Sequence, residues 1–400
     1  MKLVYIANIR LPTEKAHGLQ IMQNCEAFAD AGAKVSLWVP WRFNTRAMRK
    51  AGDPWTFYGV RRNFTLRRLP CIDLIPLFPN RTDLPAKLAF YLQLWTFTLF
   101  VFLRALGTKA NIFYSRDALP LVLLSLVKPR RCLAYEVHRL AQPGAGRWLQ
   151  RKALSRCGAI FPMTNALAED LARIGADPAR MTVAHDGIRA SRFANAPTQA
   201  EARARLGWPE DAFIVGYVGR LQTLAMDKGV GNLVRALAQV EGASLAIVGG
   251  PREIVETLRG RWERLGMPPE NFFYAGQVAP DAVPVFLSAF DVCAMPFPQQ
   301  EHFARHASPL KLFEYMASRR PIVASDLPAF AEVVRDGVNA LLVPPDDIDA
   351  LAEAICRLRD NPGLRQFLGD AAHKRVLARY TWDRRAQLIL DRLRQNVTAR

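Results

Sequence analysis

The amino-acid sequence predicts an α/β protein made of two doubly wound parallel-sheet domains. Two observations carry that expectation. Short apolar runs alternate with helical patterns, and the alternation occurs twice, on either side of a polar stretch near 187–212. The chain of 400 residues is long enough for two ordinary cores. A third observation concerns what the second domain would hold. Ser308-Pro309-Leu310-Lys311-Leu312-Phe313-Glu314-Tyr315-Met316-Ala317 reads as a helix start shaped for an anion.

In the first half, strands are expected at 2–7, 34–39, 111–115, 132–137, 158–163 and 181–184. A helix at about 19–31 shows Leu19, Met22, Ala27 and Ala29 and closes on Gly32. In the second half, strands are expected at 213–218, 244–248, 272–274, 291–295, 321–325 and 340–343. Helices fall between them at about 229–240, 252–265, 281–289, 309–318 and 347–359. Gly187-Ile188-Arg189 leads into Ala194-Asn195-Ala196-Pro197-Thr198, a stretch with linker composition. The expected domains are therefore 1–190 and 191–381. The helical segment 382–400, with Leu388, Ile389, Leu390 and Leu393, is expected to pack back towards the first domain.

Charge is divided unequally. Residues 1–200 hold 29 Lys and Arg against 12 Asp and Glu; residues 201–400 hold 25 against 24. An anionic partner would meet the N-terminal half. Cys25, Cys71, Cys132, Cys157, Cys293 and Cys356 form no C-x-x-C pair, which argues against a zinc site or a disulfide framework. A reducing, cytoplasmic compartment fits. The apolar run at Met1–Asn8 is too short for a signal peptide and is expected to be the first strand.

Leu88 to Leu103 carries no charge and lies between Lys87 and Arg104. A spanning helix needs about 20 apolar residues, so the preferred reading is a buried helix packed on a sheet. The sharper reading is a helix that dips into a bilayer face. Trp38, Trp41, Trp55, Phe57 and Tyr58 are interleaved with Arg42, Arg46, Arg49, Lys50, Arg61, Arg62, Arg67 and Arg68. That mixture suits the headgroup layer of an anionic membrane. It would also suit single-stranded nucleic acid, but the phosphate motifs of the second half argue against that partner.

In doubly wound sheets, ligands sit beyond the carboxyl ends of the strands. At the helix start, Ser308 suits the cap and Pro309 the first position. Lys311 then falls where the helix dipole disfavours a cation, unless a phosphate sits on the free N–H groups of the first turn. Glu314 lies one turn on, beside Tyr315 and Ser318, with Leu310, Phe313 and Ala317 as the buried stripe. Strand 213–218 runs into Gly219-Arg220, and Asp227-Lys228-Gly229 opens the next helix. Arg220 and Lys228 together would neutralise a diphosphate. Gly249-Gly250-Pro251 is a further close-approach loop, and Thr13 to Gly18 precedes the first long helix. His138 directly follows strand 132–137 at its carboxyl end.

With these residues in order, the chain resembles the retaining glycosyltransferases of family 4. They have the GT-B fold, two Rossmann-like domains facing across a cleft. The resemblance runs from the His17-Gly18 loop and His138 through Asp186-Gly187-Ile188, Gly219-Arg220, Lys228-Gly229 and Val248-Gly249-Gly250-Pro251 to the Ser308–Ala317 motif and the Trp382 tail. It implies a nucleotide-diphosphate sugar as donor substrate, bound by the second domain, and an acceptor bound by the first. Arg220 and Lys228 would hold the diphosphate. The N–H groups around Pro309, Leu310 and Lys311 would touch the phosphates, and Glu314 would bond the ribose hydroxyls. His138 would sit near the transferred sugar, and the Gly18 loop would close over the diphosphate. The family usually carries two glutamates separated by seven residues. Glu314 is the second, and the first position holds His306, with Glu301, His302 and Arg305 nearby.

The resemblance implies a retaining hexosyltransferase. No carboxylate pair offers a double displacement, so front-face attack is expected. Two fixed cations would do the work of a divalent ion, and neither a bound metal nor a cofactor is expected. The acceptor class is a lipid-linked or cell-surface polysaccharide precursor at the inner membrane face, with the protein cytoplasmic and peripheral. The alternatives are a nucleotide-sugar epimerase on the same fold, or a non-enzymatic anion- or nucleic-acid-binding protein. The second of these leaves the C-terminal phosphate motif without a role.

Overall fold

The apolar run Lys2–Ile6 (β1) sits near the middle of a six-stranded sheet. The other strands are β2 (Lys34–Pro40), β3 (Thr65–Leu69), β4 (Ile112–Ser115), β5 (Leu133–Val137) and β6 (Ala159–Pro162). Their order is β3-β2-β1-β4-β5-β6, and every pairing is parallel. Strand β3 was not expected. Its sequence, Thr-Leu-Arg-Arg-Leu, has no alternating pattern because it is an edge strand with Arg67 and Arg68 exposed. The strand expected at 181–184 does not form; Met181 makes one isolated bridge to Ile160.

This sheet belongs to one of two compact units, Met1–His185 together with Trp382–Arg400. The computed structural model describes every residue except Glu14, Asn80, Thr82, Leu224, Ala225, Ala307, Pro309, Ala399 and Arg400, and omits the side chains of Ala16, Ala47 and Thr398. The last helix, Trp382–Thr398, buries Ala386, Ile389, Leu390 and Leu393 in the first unit, while Leu388 faces solvent.

The second unit is Asp186–Thr381. Its strands are β7 (Phe213–Arg220), β10 (Ala243–Gly250), β11 (Phe272–Gly276), β12 (Val292–Met295), β13 (Ile322–Ser325) and β14 (Leu341–Val343). A short ribbon, β8 (Gln222–Thr223) with β9 (Met226–Asp227), follows β7. The sheet order is β11-β10-β7-β12-β13-β14, again all parallel. Each sheet thus repeats one doubly wound plan. The order reverses beside the first strand, between β1 and β4 and between β7 and β12, and such a switch point is where ligands bind.

Two expectations are corrected here. The stretch 187–212 is not a linker. Phe193 and Ala202 are buried in the second unit, and Thr198 and Glu201 form a capping box that opens the helix Gln199–Leu206. The buried Arg203 pairs with Asp291 at 2.7 Å. The second correction concerns the helix Leu84–Leu106, which is not a buried core helix. Only 28% of its most apolar stretch is buried. Ala89, Gln93, Phe97, Thr98, Val101 and Ala105 face inward, while Leu88, Phe90, Tyr91, Trp95, Leu99, Leu103 and Leu106 face out.

Candidate phosphate site and histidine site

In the second unit, the ends of β7 and β10 approach so closely that Gly249 has no room for a side chain, and Gly219 opposite it is held at positive φ. A Cβ on Gly249 would lie 2.0 Å from the carbonyl oxygen of Gly219, and both glycines have φ near +138° (139° and 137°). Leu221 N–H donates to Gly250 O at 2.9 Å, and the Tyr217 hydroxyl donates to Arg220 O at 2.9 Å. These bonds set Arg220 as the last residue of β7, exposed at the strand end. After the ribbon, Lys228 N–H donates to Leu221 O at 3.1 Å. A Cβ on the next residue, Gly229, would meet Pro296 O at 1.8 Å, so the backbone at Lys228 is pressed against the loop that leaves β12. Lys228 therefore stands at the β7/β12 switch point.

The Lys228 ammonium is half-buried and lies 5.4 Å from the centroid of the Phe297 ring. Phe297 is held in turn by Phe303 and Phe330, with centroids at 4.9 and 5.4 Å. Desolvation, then the positive charges of Lys311 and Arg220, push the Lys228 pKa down to about 8. Among the described residues, neither Lys228 nor Arg220 has an ion-pair partner, whereas Lys311 Nζ lies 2.5 Å from Glu314 Oε2. Lys311 also packs over Gly219, with its Cγ 3.7 Å from where a Cβ would be. Three cations and one carboxylate thus gather around the ends of β7 and the helix Leu310–Ala317.

That helix is more enclosed than a stripe of Leu310, Phe313 and Ala317 would make it. Leu312 through Ala317 are all buried, Glu314 included, while Leu310 and Lys311 are half-buried. Tyr315 does not share an open face with Glu314; its hydroxyl accepts Val218 N–H at 2.8 Å inside the unit. Ser308 Oγ accepts Asp186 N–H at 3.1 Å. Pro309 lies outside the described residues. His306 ends a π-helical turn, His302–His306, and is buried. The triplet Asp347-Ile348-Asp349 is a helix start: Asp347 accepts Ala350 N–H, and Asp349 accepts from Gln239 Nε2.

In the first unit, Gly18 is buried in the first turn of the helix Ala16–Asp30. A Cβ there would fall 2.2 Å from the Tyr58 hydroxyl, which accepts Thr13 N–H at 2.7 Å and donates to Thr13 O at 2.8 Å. Packing within the unit already requires the glycine.

His138 stands beyond β5, beside a residue that sequence reasoning passed over. Glu136 is fully buried in β5 and is surrounded by donors. Arg385 Nη2 donates to Oε2 at 2.9 Å, Tyr114 OH donates to the same oxygen, and His138 Nε2 lies 2.5 Å from Oε1. Tyr5 OH and Asn24 Nδ2 stand at 3.4 Å, and Arg116 Nε at 3.9 Å. Burial alone would raise the Glu136 pKa, but Arg385, His138 and Arg116 hold it well below the usual carboxylate range. Burial and Arg116 push the His138 pKa down to about 4 against the pull of Glu136. The imidazole is therefore neutral near pH 7. Facing a carboxylate, Nε2 carries the hydrogen and donates, and Nδ1 keeps a lone pair for a hydroxyl donor. The signal in the sequence was a carboxylate inside the apolar run Leu-Ala-Tyr-Glu-Val, since a buried charge needs partners.

Fold and site together describe a two-unit chain of GT-B type. Residues 212–361 match the family described as Glycosyl transferases group 1. A D-inositol 3-phosphate glycosyltransferase of Kribbella flavida is 28% identical over 262 residues, which cover 62% of this chain and 59% of that protein. The chain spans about half to three-fifths of the length of the first curated relatives it matches. Sucrose-phosphate synthase of Thermosynechococcus elongatus shares the fold over 100% of both chains, with a TM-score of 0.77 and 21% identity. Anabaena HepE, solved in complex with UDP, shares it over 99% of this chain and 100% of its own, with a TM-score of 0.72 and 19% identity. The match to the group 1 glycosyl transferases covers residues 212–361, and the chain as a whole has the GT-B fold.

Proposed function

We propose that the protein moves a hexose from a nucleotide-diphosphate sugar to a lipid-linked or cell-surface polysaccharide precursor, with retention of anomeric configuration. One observation carries the reading: Lys228, Arg220 and Lys311 stand together at the switch point of the second unit, and Lys228 and Arg220 lack a carboxylate partner among the described residues. Such a group suits a diphosphate. In this reading, the second unit takes the donor and the first takes the acceptor. Arg220 and Lys228 hold the diphosphate, with Gly219, Gly249 and Gly250 giving it room. N–H groups at the start of the helix Leu310–Ala317 meet phosphate oxygens, and Glu314, already tied to Lys311, receives ribose hydroxyls. His306 and Ser308 flank the donor, and Gly18 is assigned to the same donor's binding.

The acceptor hydroxyl attacks the anomeric carbon on the face from which the diphosphate departs. The new C–O bond forms as the bond to the phosphate oxygen breaks, and that oxygen takes the hydroxyl proton. Arg220 and Lys228 stabilise the charge that develops on the leaving group through preorganised electrostatics, without a metal ion. His138, neutral and fixed by Glu136, accepts a hydroxyl of the transferred sugar on Nδ1. The reaction would run on the cytoplasmic side of a membrane, with the basic first unit towards the anionic surface. HepE was solved with UDP and with UDP-glucose, so UDP is the first base to try.

The test is the double variant Arg220→Ala/Lys228→Ala. It should abolish transfer from a sugar nucleotide while its unfolding transition stays close to wild type. Retained turnover would reject the assignment.

A further inference from the structure

The helix Leu84–Leu106 has its amphipathicity reversed for a water-exposed helix. Its inner stripe, Ala89, Gln93, Phe97, Val101 and Ala105, recurs every four residues and includes small and polar side chains. Its outer stripe, Leu88, Tyr91, Trp95, Leu99, Leu103 and Leu106, is between 50% and 59% exposed. A soluble surface helix turns such residues inward, and a contiguous exposed apolar patch of this size marks an interaction site.

Two bonds hold the helix flat on its unit. Gln93 Nε2 donates to Asn8 Oδ1 at 2.9 Å, and Thr96 Oγ1 accepts Ile72 N–H at 3.0 Å. The segment around Ile72 carries the patch further. Cys71 Sγ donates to Trp41 O, and Asp73 accepts Phe43 N–H at 3.0 Å; Trp41 and Phe43 are both 71% exposed. Exposed Arg46, Arg49 and Lys50 follow directly, and exposed Lys87 and Arg104 lie near the two ends of the helix. Between Trp41 and Lys109 there are 12 Lys and Arg against 3 Asp and Glu.

We infer that this helix lies in the plane of an anionic lipid surface, with its outer stripe among the upper acyl chains and the flanking cations at the phosphates. The inference extends the membrane-facing role proposed above. Charge selects the occupant. A second copy of a chain with net charge +18 would bring like charges together, whereas anionic headgroups complement them. Tyr and Trp on the apolar face suit the interfacial layer. Because its inner stripe is part of the unit's packing, the helix lies on the membrane and does not cross it.

The test uses the full chain without nucleotide, and vesicles of equal phosphatidylcholine and phosphatidylglycerol, read by co-sedimentation. Wild type should bind, and should bind pure phosphatidylcholine vesicles less. Leu99→Glu/Leu103→Glu, changed only at exposed positions, should bind about tenfold or more weakly. Bromine-labelled acyl chains should quench wild-type fluorescence, and Trp41→Phe/Trp95→Phe, which removes both exposed tryptophans of the patch, should remove most of that quenching. Equal binding by the glutamate variant, or quenching that survives Trp41→Phe/Trp95→Phe, overturns the proposal. So does a concentration-dependent dimer that the glutamates break while vesicles go unbound, which would give the face to a second copy. The vesicles contain no sugar acceptor, so failure here leaves the transfer reading untouched, and failure of transfer leaves this result standing.

Discussion

Arg385 Nη2 lies 2.9 Å from Glu136 Oε2, joining residues 249 positions apart inside the first unit. Arg385 Nη1 also reaches Asn24 Oδ1 at 2.9 Å, and its Nε donates to His185 O at 3.0 Å. One guanidinium thus ties the last helix to β5, to the helix Ala16–Asp30 and to the point where the chain leaves the unit. The carboxylate it holds is the one that orients His138.

Removing one partner of this buried pair strands a charge. Arg385→Ala should destabilise the protein by about 3–5 kcal/mol, and the paired change Glu136→Leu/Arg385→Leu should cost much less. Urea unfolding of wild type and the two variants checks this. A small effect of Arg385→Ala alone would show that the pair is not dry.

His138 gives the first unit a pH signature. Its pKa in the folded chain, about 4, lies below the ordinary 6.5. Between those values the unfolded chain binds more protons, so stability rises with pH through this window. It is fully present above about 6.5 and lost as pH falls towards 4. The loss from this group is about 3 kcal/mol. Denaturation midpoints of wild type and His138→Gln between pH 4 and 7 should diverge in slope. Parallel slopes would contradict the assignment.

Lys228 gives the second unit another signature, of opposite direction. Its ammonium, with a pKa pushed down to about 8, is the charged form that would meet a diphosphate. UDP affinity should therefore weaken above pH 8, by up to about tenfold per unit for one required proton. Lys228→Arg keeps its charge across this range and should flatten the dependence. Calorimetric titration at pH 7 to 9.5 decides it; a flat profile for wild type would remove Lys228 from the site.

Gly249→Ala should cost more than Gly242→Ala, although both positions have positive φ. The first places a Cβ 2.0 Å from Gly219 O, and the second meets nothing within 4 Å. Expected losses are about 2–4 kcal/mol and about 1 kcal/mol respectively. Equal losses in denaturant midpoint would mean that the β7 and β10 ends can part cheaply.

The parallel strands were legible because they are continuous apolar runs, buried on both faces. β3 was hidden because an edge strand carrying Arg67 and Arg68 need not look apolar. The helix Pro362–Arg379 was missed although Asn361 caps it and Pro362 takes its first position. The helix Leu84–Leu106 was misread because length and apolarity alone cannot say which face turns inward. On the site side, Arg220, Lys228, Lys311 and Glu314 fall together in space, as strand ends and helix starts in one sheet must. Glu136 and Arg385 stayed invisible because their meaning is a pairing across the chain, and no local spacing encodes it.

The central claim is a diphosphate-nucleotide site in the second unit. Thermal unfolding of the full chain with UDP, GDP and other nucleoside diphosphates, with and without Mg²⁺, tests it most directly, since a ligand bound only by the folded state raises the melting temperature. The account predicts a rise with one of them that does not depend on Mg²⁺ and is lost in Arg220→Ala/Lys228→Ala. No rise with any of them at millimolar concentration would contradict it.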